Sequence, residues 1–156
     1  MRDIEELLAT IPALSALPDG QGATVAGCGR NAVYEPGTEL FREGQRADSF
    51  YAIRSGSVAL EMVAAPRAPL IIETLHAGDV LGWSWLFPPY RVQFDAKAVD
   101  EVHAITFDAE CLRAKCDADA ELGYALMKRF ALVLTDRLQA TRVRLLDVYG
   151  APGTGA

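Results

Sequence analysis

From Ala32 to Phe107 no helical period is sustained for ten residues; short runs of β-branched and aromatic residues are separated by glycine-bearing turns, which commits this stretch to β structure. Val58, Leu60 and Met62 alternate with Ala59, Glu61 and Val63, and Tyr51 and Ile53 precede Ser55-Gly56, a spacing that predicts a hairpin there. A second turn is predicted from Ala64 to Pro69, and further strands over 70–75, 79–81, 94–99 and 102–107. Many short strands of this kind argue a sandwich, roll or barrel. The 156 residues suffice for one domain with a real core, taken as 1–150, with 151–156 a flexible Gly/Pro/Ala tail. Ahead of the strands, Asp3 and Glu6 have capping-box spacing and Ile4, Leu7, Leu8 and Ile11 repeat at helical intervals. Asp19 is placed to cap a second short helix that Gly27 and Gly29 stop.

Beyond Phe107 helical grammar returns. Asp108 is a predicted N-cap for the turn carrying Cys111 and Leu112, and Asp119 stands ahead of a helical run through Val148 that Gly150 ends. At about 1.5 Å per residue, 119–148 makes a rod roughly 45 Å long, which is longer than a small roll is wide. Met127, Ala131, Leu134, Leu138, Thr141, Leu145 and Val148 follow in alternating steps of four and three, the rhythm of a coiled-coil seam. Leu122, Leu126, Phe130 and Val133 mark a neighbouring face. The second face is expected to pack on the β part, and the first to pair with the same helix of another copy.

Fifteen basic residues against twenty-one acidic ones give a net charge of -6, which opposes a polyanionic partner, so DNA binding by this chain alone is not expected. Arg137, Arg142 and Arg144 read as cations complementing a helix C-terminus, with Asp136 and Asp147 interrupting any uniform field. The longest apolar runs, such as Ala131 to Leu134, fall far short of a bilayer span, and Met1 to Glu6 lacks the order of an export signal. The expected location is the cytoplasm, with no membrane contact. Cys28, Cys111 and Cys116 form neither an even disulfide set nor a close metal pair, which fits a reducing compartment. His76 and His103 are too few for a metal centre, and Ser49, Ser55, Ser57 and Ser84 lie near no histidine in sequence. No catalytic residue, metal or resident cofactor is expected.

The stretch Tyr34 to Leu60, YEPGTELFREGQRADSFYAIRSGSVAL, carries more than a pattern of strands. Pro36, Gly37, Leu40, Phe41, Glu43, Gly44, Ala47, Asp48, Ser49, Tyr51, Ile53, Gly56 and Val58 fall in an order that resembles cyclic-nucleotide-binding domains. That family includes the effector half of Crp/Fnr-type bacterial regulators, the regulatory subunits of cyclic-nucleotide-dependent kinases and certain channels. The resemblance implies a mainly β fold: a double-stranded, jelly-roll-like β-roll over about 32–107, flanked by short N-terminal helices and one long C-terminal helix over about 119–148. Gly37, Gly44, Gly56 and Gly78 then fall at turns of the roll. The likeness runs from about residue 10 to 148. In Crp/Fnr-type regulators a winged helix-turn-helix follows the long helix, whereas Gly150 to Ala156 cannot build a reader helix, so the resemblance is to the sensing half.

It also makes Gly78 to Arg91, GDVLGWSWLFPPYR, the counterpart of a phosphate-binding cassette. In the family a tight turn and a short helix present free N–H groups to a cyclic phosphate, a glutamate grips the ribose hydroxyl and an arginine holds the phosphate. Gly82 and Arg91 match, Trp83 to Phe87 ended by Pro88-Pro89 can form the helix, and Trp83, Ser84, Trp85 and Val92 complete the expected ligand-binding set. The departures are specific. Trp83 stands where the glutamate does, and an indole has one donor and no acceptor for a hydroxyl. Losing that grip weakens binding by roughly ten- to a hundredfold or more. The interval from Gly82 to Arg91 is about one residue short of the usual length, and Val92-Gln93 replace smaller residues.

Two readings stay open. In one, Trp83 or Trp85 stacks on a base while Arg91 holds a phosphate, and the chain is a non-enzymatic sensor of a cyclic nucleotide or another phosphate-bearing ligand, with altered preference. In the other, the indole fills the ribose pocket, Arg91 pairs with a carboxylate such as Asp95 or lies in solvent, and the chain is a ligand-free homodimeric scaffold for an unknown protein partner.

Overall fold

The computed structural model describes residues 3–15, 17, 18, 20–63, 66 and 68–149. Among these, eight strands form two antiparallel sheets of four. The first runs β1 (Gly29–Tyr34), β8 (Val102–Asp108), β3 (Ser49–Ser55), β6 (Val80–Leu81) in spatial order. The second runs β2 (Glu39–Phe41), β7 (Asp95–Ala98), β4 (Val58–Met62), β5 (Leu70–Leu75). Strands β3 and β8 pair with Phe50 opposite Phe107 and Ala52 opposite Ile105. Both bury consecutive rather than alternating residues. That pattern marks strands covered on both faces. Tyr51 meets Phe41 of the second sheet, and Phe50 meets Phe130 of the long helix on the other side.

The β-roll expected from the sequence is present, with one connection corrected. Ser55-Gly56 does not close a hairpin: β3 pairs with β6 and β8, β4 with β5 and β7, so the chain changes sheets at that turn. Gly56 has φ +86°, and a Cβ there would stand 2.3 Å from the Glu101 carbonyl oxygen. Glycine is needed both for the left-handed backbone and for the close approach of the 100–102 segment. The other predicted turn glycines, Gly37, Gly44 and Gly78, also have positive φ.

Helix α1 (Ile4–Leu8) follows Asp3, which occupies the N-cap position but makes no side-chain cap bond. Ile11 lies past its end in a turn, buried all the same. Helix α2 (Gln21–Ala26) stops at Gly27 as predicted. The expected Asp19 cap, part of the 64–69 turn, the Gly150 stop and the 151–156 tail lie outside the described residues. Helix α3 (Ala109–Ala118) is capped by Asp108, whose carboxylate accepts the Cys111 N–H at 2.8 Å. Helix α4 (Ala120–Tyr149) is thirty residues long, and Asp119 accepts the N–H groups of Glu121 and Leu122 in its first turn. Leu122, Leu126 and Phe130 are buried, whereas Met127, Ala131, Leu134, Leu138, Thr141 and Leu145 are all exposed.

The cysteine reading is overturned. Cys28 and Cys111 form a disulfide with Cα atoms 5.7 Å apart, joining the end of α2 to the first turn of α3. Antiparallel pairing of β1 with β8 brings the two together, and the Asp108 N–H donates to the Cys28 carbonyl at 2.9 Å. Cys116 is the free thiol, its pKa pushed up by burial with smaller contributions from Asp117 and Asp119.

Candidate functional site

Strand β6 delivers the chain to Gly82, at φ +96°, where a Cβ would stand 2.9 Å from the Ser49 carbonyl oxygen. No side chain fits that turn against β3, so the cassette leaves the sheet at a fixed angle. The short helix expected from Trp83 to Phe87 is a single 3-10 turn, Trp83–Leu86. Pro88-Pro89 is cis, and Tyr90 has φ 57°. The loop is clamped onto the 44–47 segment: Ala47 donates to the Tyr90 carbonyl at 2.7 Å, Gly44 to Val92 at 2.8 Å and Val92 to Gln45 at 2.9 Å.

A cavity of about 250 Å³ lies between the loop and α4. Gly82, Trp83, Ser84, Arg91 and Val92, all expected at the ligand, line it together, with Phe87, Phe94 and Leu134 among the other walls. Arg91 is exposed, donates to the Gly44 carbonyl at 3.3 Å, and forms no ion pair among the described residues. Asp95, its expected carboxylate partner, instead accepts the Glu43 N–H at 2.7 Å. A guanidinium has five donors in a fork suited to an oxyanion.

The two indoles divide. Trp85, expected as a possible stacking ring, is fully buried, packs on Phe50 and Phe130, and is no part of this cavity. Trp83 is half-buried and meets Phe130 edge-on with centroids 4.3 Å apart. The Arg137 guanidinium lies 5.6 Å from the Trp83 ring centre, donates to the Val80 carbonyl and stands 4.0 Å from Glu73. Burial pushes its pKa down, against the pull of Glu73 and Asp79. This corrects the reading of Arg137 as a cation complementing the helix C-terminus: it fastens α4 to the cassette. The signal was in the spacing, because Arg137 follows Phe130 by seven residues and shares its face. Arg113, unremarked in the sequence, donates to the Trp85 carbonyl at 2.8 Å and covers the Tyr90 ring at 4.5 Å, linking α3 to the same loop.

Folding also places Ser57 Oγ 3.2 Å from His76 Nδ1, a proximity hidden by sequence order. The pair is exposed, and Asp79 accepts the His76 backbone N–H rather than orienting its ring. His103 bonds Glu101 at 2.9 Å. Among the described residues no group of three or more His, Cys, Asp and Glu is placed to hold a metal ion, and no helix is long and apolar enough to cross a membrane.

The cyclic nucleotide-binding domain family matches residues 32–119. The nitrogen fixation regulation protein FixK of Azorhizobium caulinodans is 30% identical over 102 residues, covering 65% of this chain and 40% of that protein. The CRP-like cAMP-activated global transcriptional regulator of Mycobacterium tuberculosis is 28% identical over 112 residues, covering 72% of this chain and 48% of its own length. The chain thus spans less than half the length of these curated relatives. The crystal structure of a cyclic nucleotide-binding domain from Methylobacillus flagellatus superposes with a TM-score of 0.77 at 17% identity, covering 92% of this chain and 81% of that one, a likeness of fold. The roll, the left-handed turn at Gly82 and a match over more than half the residues agree: the chain belongs to the cyclic nucleotide-binding domain family.

Proposed function

We propose that the chain is a non-enzymatic regulatory module that senses a phosphate-bearing small molecule between Gly82 and Arg91, with a preference displaced from ordinary cyclic nucleotides by Trp83. The observation that carries this reading is that a cavity persists beside Arg91 although an indole has replaced the ribose-binding carboxylate. The Trp83 ring is accommodated against Phe130, under α4, and the space beside Arg91 stays open. That favours the sensor over the ligand-free scaffold.

Leu134 of α4 is one wall of the cavity, and Trp83 touches α4 from the cassette side. A ligand there exerts different contact energies on different placements of α4, which is the condition for biasing a conformational equilibrium. The exposed seam from Met127 to Leu145 supports pairing with a second copy, so the proposed output is a change in the geometry of a helix pair that a protein partner reads. The proposed compartment is the cytoplasm, and the Cys28–Cys111 disulfide, of a kind rare in reducing compartments, is the observation that opposes it.

Hydrogen exchange of α4 in the presence of millimolar inorganic phosphate, cyclic AMP, cyclic GMP or a cyclic dinucleotide tests the reading. At least one anion is expected to change protection over 127–145 in the wild type and to have no effect in Arg91→Ala. Silence from every ligand, with dimers intact, favours the scaffold.

A further inference from the structure

The walls of the cavity identify its ligand more narrowly. Phe41, Phe87, Pro88, Pro89, Phe94 and Leu134 are apolar, and the polar side chains among the rest are Trp83, Ser84, Arg91 and Gln93. None of the described lining residues is a carboxylate. A sugar brings several hydroxyl donors; Ser84 and Gln93 are the described lining side chains whose oxygens can accept from them, and neither carries the charge of a carboxylate. Among the described residues Arg91 is the one charged residue in the lining and forms no ion pair, so the charge that complements the site is negative. Phe87 is 52% exposed and Leu134 40% exposed, large apolar groups left uncovered at the cavity. An apolar body seated beside the guanidinium removes them from water. At about 250 Å³ the space also lies below the roughly 300–1,000 Å³ of common ligand pockets, which suits a single ring better than a nucleoside.

We infer that the ligand is an aromatic anion: a phosphate or carboxylate head held by Arg91, with one flat apolar ring between Phe87, Phe94 and Leu134. The inference rests on the sensing reading of the same cavity and goes beyond it in naming the ligand's chemistry. Trp83 belongs to the same logic, since an indole wall suits a ring where the family's carboxylate suits a sugar.

Calorimetric titration of the full chain with phenyl phosphate, benzoate, inorganic phosphate, acetate and cyclic AMP provides the test. Phenyl phosphate is expected to bind at least about tenfold more tightly than inorganic phosphate, or benzoate than acetate, because only the ring-bearing member of each pair covers the apolar walls. The two pairs distinguish a phosphate head from a carboxylate head. Arg91→Ala is expected to weaken the ring-bearing anion by about tenfold or more. Phe87→Ser is expected to abolish the preference of each ring-bearing anion over its ringless counterpart. Both positions are exposed, and circular dichroism and a thermal melt establish that each variant is folded. Arg91→Lys retains the charge and is expected to recover part of the binding.

Cyclic AMP binding more tightly than phenyl phosphate and benzoate, and lost in Arg91→Ala, overturns the ligand class while leaving the sensor standing. A ring preference unchanged by Phe87→Ser in a folded variant also overturns it. No binding by any of the probes, or binding indifferent to Arg91→Ala, overturns both the ligand class and the sensing site.

Discussion

Over 120–133, α4 buries Leu122, Leu126 and Phe130 in the core; over 134–149 no apolar side chain is buried, and Leu138, Leu145, Leu146 and Val148 stand in solvent. Both halves are helical, yet they are helical for different reasons. The first is amphipathic against its own domain, and burial holds it in place. The second is fastened by single side-chain bonds, from Arg137 to the Val80 carbonyl and from Arg144 to the Ile72 carbonyl, while its apolar surface faces outward. A lone segment of that length is marginal as a helix in water. The contrast separates architecture from assembly along one element, with the candidate cavity at the boundary, where Leu134 begins the exposed half.

Removing the main buried anchor breaks the comparison most forcefully. Phe130 is 1% exposed and meets Phe50, Trp83 and Trp85. Phe130→Ala is expected to lower unfolding stability by about 3–5 kcal/mol in chemical denaturation, through lost transfer energy and the cavity left behind. An equal loss from Leu138→Ala in a monomeric sample would show that the exposed half is architecture too.

The platform under the buried half carries a pH handle. Burial raises the Tyr51 phenol from 10.0 to about 12, with Tyr34 second, and the Tyr51 hydroxyl donates to the Leu40 carbonyl at 3.2 Å. The unfolded chain releases this proton first. The contribution is therefore complete below the ordinary tyrosine value of 10.0 and is lost as pH rises through about 12. Two units correspond to roughly 2–3 kcal/mol. The stability difference between wild type and Tyr51→Phe is expected to shift by about that amount across the window, measured by urea unfolding at successive pH values; a constant difference sinks the assignment.

Much of this was legible in the sequence, and what was not has identifiable causes. Strand positions followed from alternation and glycine spacing, but the change of sheets at Ser55-Gly56 did not, because turn residues specify that a chain reverses and not which strand it joins next. The two faces of α4 were readable from their periods. Trp83 and Trp85 were not separable, since the 3-10 turn that sends one to the cavity and the other to the core is set by Gly82 and the clamp on 44–47. Arg91 was identified from the resemblance, whereas its release from Asp95 depends on the Glu43 backbone claiming that carboxylate. The disulfide was missed because parity over three cysteines ignores a pair with one left over.

The fastening of the distal half is a smaller matter energetically. Arg144→Ala removes one bond to the Ile72 carbonyl. A loss of roughly 0.5–1.5 kcal/mol is expected, confined to faster amide exchange beyond residue 138 and absent from the global unfolding transition. Faster exchange throughout α4 would mean that the helix opens as one unit and that its halves are not separate.

The subtlest change in folding is the one that bears most directly on assembly. Leu138 is 51% exposed and lies in the middle of the seam from Met127 to Leu145, so within one chain Leu138→Asp replaces solvent-facing carbon with a solvated carboxylate. The expected change in monomer stability is within about 0.5 kcal/mol. In a pair of helices the same carboxylate meets its symmetry mate across a two-fold axis and loses water on both sides, which is strongly unfavourable. Sedimentation velocity is therefore expected to show dimers in the wild type and monomers in Leu138→Asp, with circular dichroism at high dilution superimposable for the two. Monomers in both samples would assign the exposed apolar row to another protein, and dimers in both would move the contact away from this face; either result leaves the buried half of α4 where it is, because nothing in its packing depends on residue 138.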